Sequence, residues 1–220
     1  MAYELQDKRV LVIGATGGIG GATADAFVKA GAQVSRPGRD ALDVLDESSV
    51  AAFFQSQEPF DHVVVAAAVA KSGPVAGLDL DDAQAAMNSK FFGAYRVARH
   101  ARIAEHGSLT LMSGFLSQRP NASAVLQGAI NAALEALARG LALEKAPIRV
   151  NTVSPGLIDT QERRGKAPAA RQAMFDKAAQ NLPVRRVGQP EDIAEAILLL
   201  ATNPYMTGTT VTVDGGGTIG

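Results

Sequence analysis

The sequence contains no cysteine among its 220 residues. That excludes a disulfide framework, a thiolate metal site and a cysteine nucleophile, and it agrees with a reducing compartment. Neither charge sign dominates, because 21 Lys+Arg oppose 22 Asp+Glu for a formal net charge of -1. So balanced a chain has no electrostatic bias toward nucleic acid or an anionic membrane, and neither is an expected partner. No apolar run approaches the roughly 20 residues that cross a bilayer. The opening "MAYELQDKRVLVIG" sets Glu4, Asp7, Lys8 and Arg9 before a short apolar run, so no cleavable leader is expected and the expected location is cytoplasmic. His62, His100 and His106 lack metal-ligand spacing; they read as surface residues, and no metal site is expected. Linkers, internal repeats and low-complexity tracts are missing too, so residues 1–220 read as a single domain.

What is present alternates. Short strand-like runs occupy 9–14, 32–36, 61–68, 108–113, 148–156 and 208–217, the first of them apolar and β-branched. Helical patterns fill 18–31, 46–57, 79–107, 122–145 and 189–202 between them. Alternation of this kind predicts an α/β fold with one doubly wound, Rossmann-like parallel sheet and helices on both faces. About seven strands are expected in a chain of this type. Runs such as "VVVAAA" are apolar on both sides, as in a sheet covered twice. The polar stretch 159–186, with Pro168 and Pro183, reads as a helical lid over a substrate.

Two features carry chemistry. The first strand runs into "GATGGIG" and then a helix, with Gly14, Gly18 and Gly20 in a G-x-x-x-G-x-G pattern. Glycines there permit a tight turn and close backbone approach, and the helix N-terminus offers N–H groups to a pyrophosphate. The second feature is "QGAINAALEALARGLALE" (127–144), which aims two amides, Gln127 and Asn131, from one helix face. Neither amide is an acid or a base near neutral pH.

The glycine spacing, together with "NTVSPGLIDT" (151–160) and "MTGTTVTVDGGG" (206–217), resembles the short-chain dehydrogenase/reductase family along nearly the whole chain. The resemblance implies a nicotinamide dinucleotide cofactor. Thr16, Gly17, Gly18, Ile19 and Gly20 would face its phosphates. Asp43 and Val44 would form the adenine pocket, and Ala66, Ala67 and Ala68 would pass the adenosine ribose. Pro155, Gly156 and Ile158 would line the nicotinamide side, with Thr160 at its amide or at the pyrophosphate. Arg36 and Arg39 follow the second strand, where no acid stands directly at the strand end. Arginines there would pair with a 2′-phosphate, so NADP(H) is favoured over NAD(H).

The family's catalytic positions depart from pattern. Ser113 matches the serine that binds the substrate carbonyl. Gln127 and Asn131 stand where the resemblance implies a tyrosine and a lysine, and Lys90, three before Gly93, stands where it implies an asparagine. One reading is that Lys and Asn trade helices, an exchange that keeps one ammonium and one amide in the same volume; the other is two unrelated losses in a decaying site. The implied function is an NADP(H)-dependent oxidoreductase acting on a small carbonyl or imine. The alternative is a protein that holds NADP(H) as a sensor or structural subunit without turnover. Ala129, Ala132, Ala133 and Ala136 allow close helix approach, and the family pairs this helix across two-fold axes, so a homodimer or homotetramer is expected. Arg96, Arg99 and Arg102 read as a solvated or subunit-facing stripe.

Overall fold

The computed structural model of the chain describes residues 5–68, 71–160 and 168–220. Strands β1 (Arg9–Ile13), β2 (Gln33–Ser35), β3 (Phe60–Val65), β4 (Ile103–Met112), β5 (Arg149–Pro155) and β6 (Thr210–Val213) form one sheet. Every pairing is parallel and the order is β2-β1-β3-β4-β5-β6. Val10, Leu11, Val12 and Ile13 are all buried because helices cover both faces. On one face, α2 (Glu47–Gln55), α4 (Gly93–His100) and α5 (Val125–Glu144) pack Phe54, Val97 and Ile130 against Leu11, Val63 and Leu109. On the other, α1 (Gly18–Lys29) and α7 (Pro190–Thr202) pack Phe27 and Ile197 against Val10, Val12 and Val64. A capping box between Gln189 and Asp192 starts α7. Among the described residues no helix is long and apolar enough to cross a membrane.

Three expectations are corrected. The described sheet has six strands, not seven: residues 36–46, where Pro37 and Gly38 stand, fold into turns closed by Ala41 N–H to the Gly38 carbonyl (3.1 Å) and Asp46 N–H to the Asp43 carbonyl (3.1 Å). The long helix of 79–107 is broken. It comprises α3 (Leu80–Met87), a π-helical turn (Asn88–Phe92) and α4, which stops at His100, and Ile103 already belongs to β4. Helix-forming Ala and Glu in 101–107 yield to strand pairing: Phe60 faces Ile103 and His62 faces Ser108, so 104–107 bulge, with His106 at φ +63°. Finally, His62 is not at the surface. It is 7% exposed, stacks on Phe27, and shares a hydrogen bond between Nδ1 and Ser108 Oγ (2.9 Å). Burial pushes its pKa down to about 4, so the imidazole is a neutral core group at physiological pH. The expected lid contains α6 (Pro168–Asn181), while 161–167 lie outside the described residues.

From β1 the chain first winds to β2 on one side and then returns to β3 on the other. That reversal leaves a crevice over the carboxyl ends of β1 and β3. Glycine is required there. Gly14 has φ +89°, and a Cβ on it would lie 2.6 Å from Ala67 N. A Cβ on Gly20 would lie 2.2 Å from the Gly14 carbonyl oxygen, which is backbone and cannot step aside. Gly20→Ala should therefore destabilise the ligand-free protein by about 3 kcal/mol, lowering Tm by roughly 6–12 °C for a domain of this size. A melting curve within 2 °C of the wild type would contradict this account of the turn.

Candidate active site

Two adjoining cavities of about 170 and 320 Å³ occupy the crevice and share Ala67 and Ala68 as a common wall. The larger is floored by Gly14 and Thr16 and bounded by Pro37, Gly38, Arg39, Leu42, Asp43 and Val44 from the turns after β2, with Asn88 and Ser89 opposite. Asp43 is fixed in place, its Oδ1 accepting from Leu45 N–H (3.0 Å) and its own N–H donating to Ser49 Oγ (3.0 Å). The smaller is lined by Gly17, Gly18, Ile19 and Gly20 at the start of α1, with Lys90, Ser113 and Thr160 beyond them. Helix α1 begins at a glycine cap that supplies no side-chain hydrogen bond and has no acid in its first turn. Its first N–H groups therefore face the cavity with their partial positive charge uncompensated. A concave, glycine-floored crevice with such a helix end fits a nicotinamide dinucleotide, with the pyrophosphate at α1 and the two halves in the two cavities.

At the inner end of the smaller cavity lies a polar cluster. Lys90 projects from the π-helical turn, whose extra residue is closed by Gly93 N–H donating to the Asn88 carbonyl. Arg96, one turn on, braces this segment by donating to Asn88 Oδ1 (2.8 Å) and to the Val44 carbonyl (3.1 Å). Lys90 Nζ donates to Asn131 Oδ1 (2.6 Å) and to the Ser113 carbonyl (2.8 Å). An ammonium has three N–H bonds, so one remains for the cavity. Burial lowers the Lys90 pKa from the ordinary 10.5 to about 8, with the charge of Glu135 acting in the opposite sense. Asn131 is only 3% exposed; its Nδ2 donates to the Gly114 carbonyl (3.0 Å), so both ends of the amide are engaged within the protein.

A family model described as enoyl-(acyl carrier protein) reductase matches residues 40–218. The 2,3-dihydro-2,3-dihydroxybenzoate dehydrogenase of Escherichia coli (strain K12) is 30% identical over 246 residues, covering 99% of this chain and 99% of its own. The chain belongs to the short-chain dehydrogenase/reductase family. Among solved structures of this family, a small-chain dehydrogenase in complex with NADPH superposes with a TM-score of 0.93 at 40% identity, covering 98% of this chain and 100% of that one. The aldohexose dehydrogenase of Thermoplasma acidophilum, in ligand-free form, superposes with a TM-score of 0.93 at 25% identity, covering 100% of this chain and 97% of that one.

Within this short-chain dehydrogenase/reductase frame the expected site residues divide. Lys90, Ser113, Thr160 and the glycines of the first turn meet in one cavity, with Asn131 touching Lys90 from behind. Gln127 does not join them: its Nε2 donates to the Lys71 carbonyl (3.1 Å), tying α5 to the loop after β3. The Ser113 hydroxyl also turns away, donating to Glu135 Oε1 (3.0 Å) and lying 3.3 Å from the Val153 carbonyl. Of Ser113, it is therefore the backbone carbonyl that serves the lysine. Pro155 and Ile158, expected on the nicotinamide side, are buried, and Ile158 also borders a separate recess with Leu157 and Gly188. Gly156 packs on the Asp214 backbone, and Ile158 is buried and forms a β-bridge with Gly188. Arg39 borders the larger cavity, whereas Arg36 pairs with Asp25 on α1 (2.8 Å). The arginine stripe is dispersed: Arg96 is part-buried under the π-helical turn, Arg99 meets Glu47, and Arg102 donates to the Gln57 carbonyl.

Sequence reasoning missed Glu135, Ser117 and the brace from Arg96. Glu135 continues the series Gln127, Asn131 at i+4 spacing, a signal that was readable. A glutamate in an alanine-rich helix, however, has the look of a solvated face until the packing of α5 is known.

Proposed function

We propose that this protein is an NADP(H)-dependent oxidoreductase that reduces a small carbonyl or imine compound, or oxidises the corresponding alcohol or amine, with Lys90 as its proton-bearing group. One observation carries the reading: an ammonium with a pKa near 8 and one uncommitted N–H stands in the cavity that the dinucleotide crevice leads into. The cofactor, when bound, supplies or accepts the hydride. Asn131 and the Ser113 carbonyl hold Nζ in place, and its free N–H donates to the substrate oxygen or nitrogen as negative charge develops there. Met112 and Leu134 flank the lysine in the cavity wall and reduce its contact with water. The assay is NADPH oxidation against a panel of ketones, aldehydes, quinones and imines. Tight NADPH binding without turnover of any class would favour the second reading, a nucleotide-holding protein, for which the amide at 127 is the supporting observation.

Arg39 supports the preference for the phosphorylated cofactor more directly than Arg36, which already has Asp25 as its partner. Arg39→Ala should weaken NADPH binding by roughly 1–3 kcal/mol, the scale of a charge-assisted hydrogen bond, and leave NADH binding nearly unchanged. Equal losses for both cofactors in titration calorimetry would defeat the preference. We also assign self-association to the α4/α5 face, where Tyr95 and Leu143 are 44% and 84% exposed beside a recess lined by Leu137 and Leu141.

A further inference from the structure

The catalytic cluster contains a buried acid for which the reading above has no use. Glu135 follows Asn131 by one turn on the same face of α5 and is 9% exposed. Its Oε1 accepts from the hydroxyls of Ser113 (3.0 Å) and Ser117 (2.6 Å). Ser113 is thus shared. Its side chain is held by the acid, and its backbone carbonyl accepts from Lys90 Nζ at 2.8 Å. Adjacent turns of one helix therefore grip the lysine twice, directly through Asn131 and through Ser113 by way of Glu135.

We propose that Glu135 is the positioning residue of this site: anchored by the Ser113 and Ser117 hydroxyls, its carboxylate holds Lys90 in the ammonium form and turned toward the cavity.

The proposal rests on the reading of Lys90 as the proton-bearing group, but its physical basis is separate from that reading. A carboxylate withdrawn from water requires hydrogen-bond donors and a countercharge. The elements packed on this face of α5 present Ser113 at the end of β4, Ser117 in the short helical turn Phe115–Ser117, and Lys90. From β5 come Thr152 and Ser154, on the same side as Val150, with buried hydroxyls that have no protein partner. Arg139, one turn further along α5, is exposed. Among the described residues, Lys90 is thus the one charge that faces the acid. The dependence also runs the other way, since Glu135 is the charge that opposes the loss of the Lys90 proton to burial. Without it the lysine would carry its proton for a smaller share of the time near neutral pH, and fewer molecules could transfer a proton.

The test is a pH titration of lysine side-chain NMR signals in the full chain, with the Lys90 resonance assigned by its loss in Lys90→Met. Glu135→Gln keeps an oxygen for both serines and removes only the charge. The Lys90 midpoint should fall by about 1 unit or more in this variant, the scale set by one nearby opposite charge. It should return most of the way in Glu135→Asp. A midpoint within about 0.3 unit of the wild type in Glu135→Gln, or in Glu135→Leu if the glutamine variant does not fold, would overturn the proposal. Kinetics separate this from the function itself. The alkaline limb of turnover should move with the resonance, giving about tenfold lower kcat above the limb with KM for NADPH unchanged. A resonance that moves while the limb stays would uphold the Glu135–Lys90 coupling and remove Lys90 as the proton donor.

Discussion

Lys90→Ala is expected to lower carbonyl or imine reduction by about 10²- to 10⁴-fold, the range supplied by a positioned general acid, while NADPH affinity stays within a few-fold. The two effects separate because Lys90 stands at the inner end of the smaller cavity, while the glycines of the first turn and the start of α1 form the cofactor crevice. The pH dependence has a definite sign. Reduction needs the ammonium, so wild-type turnover should be level below pH 8 and fall as pH rises through about 8. Oxidation needs the free amine and should rise over the same interval. Stability follows the same proton. Because the folded-state pKa of about 8 lies below the ordinary 10.5, the folded protein binds fewer protons across that window, and its stability should increase with pH there. Below pH 8 the buried ammonium costs about 3 kcal/mol relative to the amine. Lys90→Ala removes that cost and leaves Asn131 Oδ1 and the Ser113 carbonyl without their donor, so its Tm should remain near the wild-type value. Undiminished turnover in a folded Lys90→Ala protein would eliminate the lysine from the chemistry.

The second large effect is expected from restoring the residues that the family resemblance implies. Gln127→Tyr with Asn131→Lys sets a second ammonium where Asn131 Oδ1 now lies 2.6 Å from Lys90 Nζ. Two such charges about 4 Å apart repel by about 4 kcal/mol at an effective dielectric near 20. The double variant should therefore melt well below the wild type and be inactive. Adding Lys90→Asn returns the cluster to one ammonium and one amide with their helices exchanged, and both stability and turnover should recover. If the triple variant folds, binds NADPH and is as inactive as the double, then the exchange of Lys and Asn between helices is not what preserved the site.

Much of the architecture was legible because its signals are local. Gly14, Gly18 and Gly20 mark the turn from β1 to α1, and apolar runs at β1 and β3 mark strands covered on both faces. The meeting of Lys90 and Asn131 was legible as well, since it needed only helix counting and one reference glycine at 93. What failed depended on context outside the local chain. Residues 101–107 have helical composition, and only the edge offered by β3 draws Ile103 into a strand. His62 looked superficial because its neighbours Asp61 and Pro59 are polar or turn-forming, while the ring that covers it, Phe27, comes from α1. The partner of the Ser113 hydroxyl was not legible, because that acceptor, Glu135, lies 22 residues away on a helix whose rotation only packing decides.

The π-helical turn at Asn88–Phe92 has a consequence for how residue roles transfer between relatives. Such a turn inserts one residue into the winding of a helix, so everything before it is rotated by about 100° against everything after it. A homologue with the same residues and an unbroken α-helix here would show a different side chain to the cavity, although a column-by-column match of the two chains would look faultless. The address of the cavity lysine is therefore an angle about a helix axis as much as a position in a string of letters. Inherited function along this segment is better traced through the spacing from the turn to the brace at Arg96 than through residue identity alone.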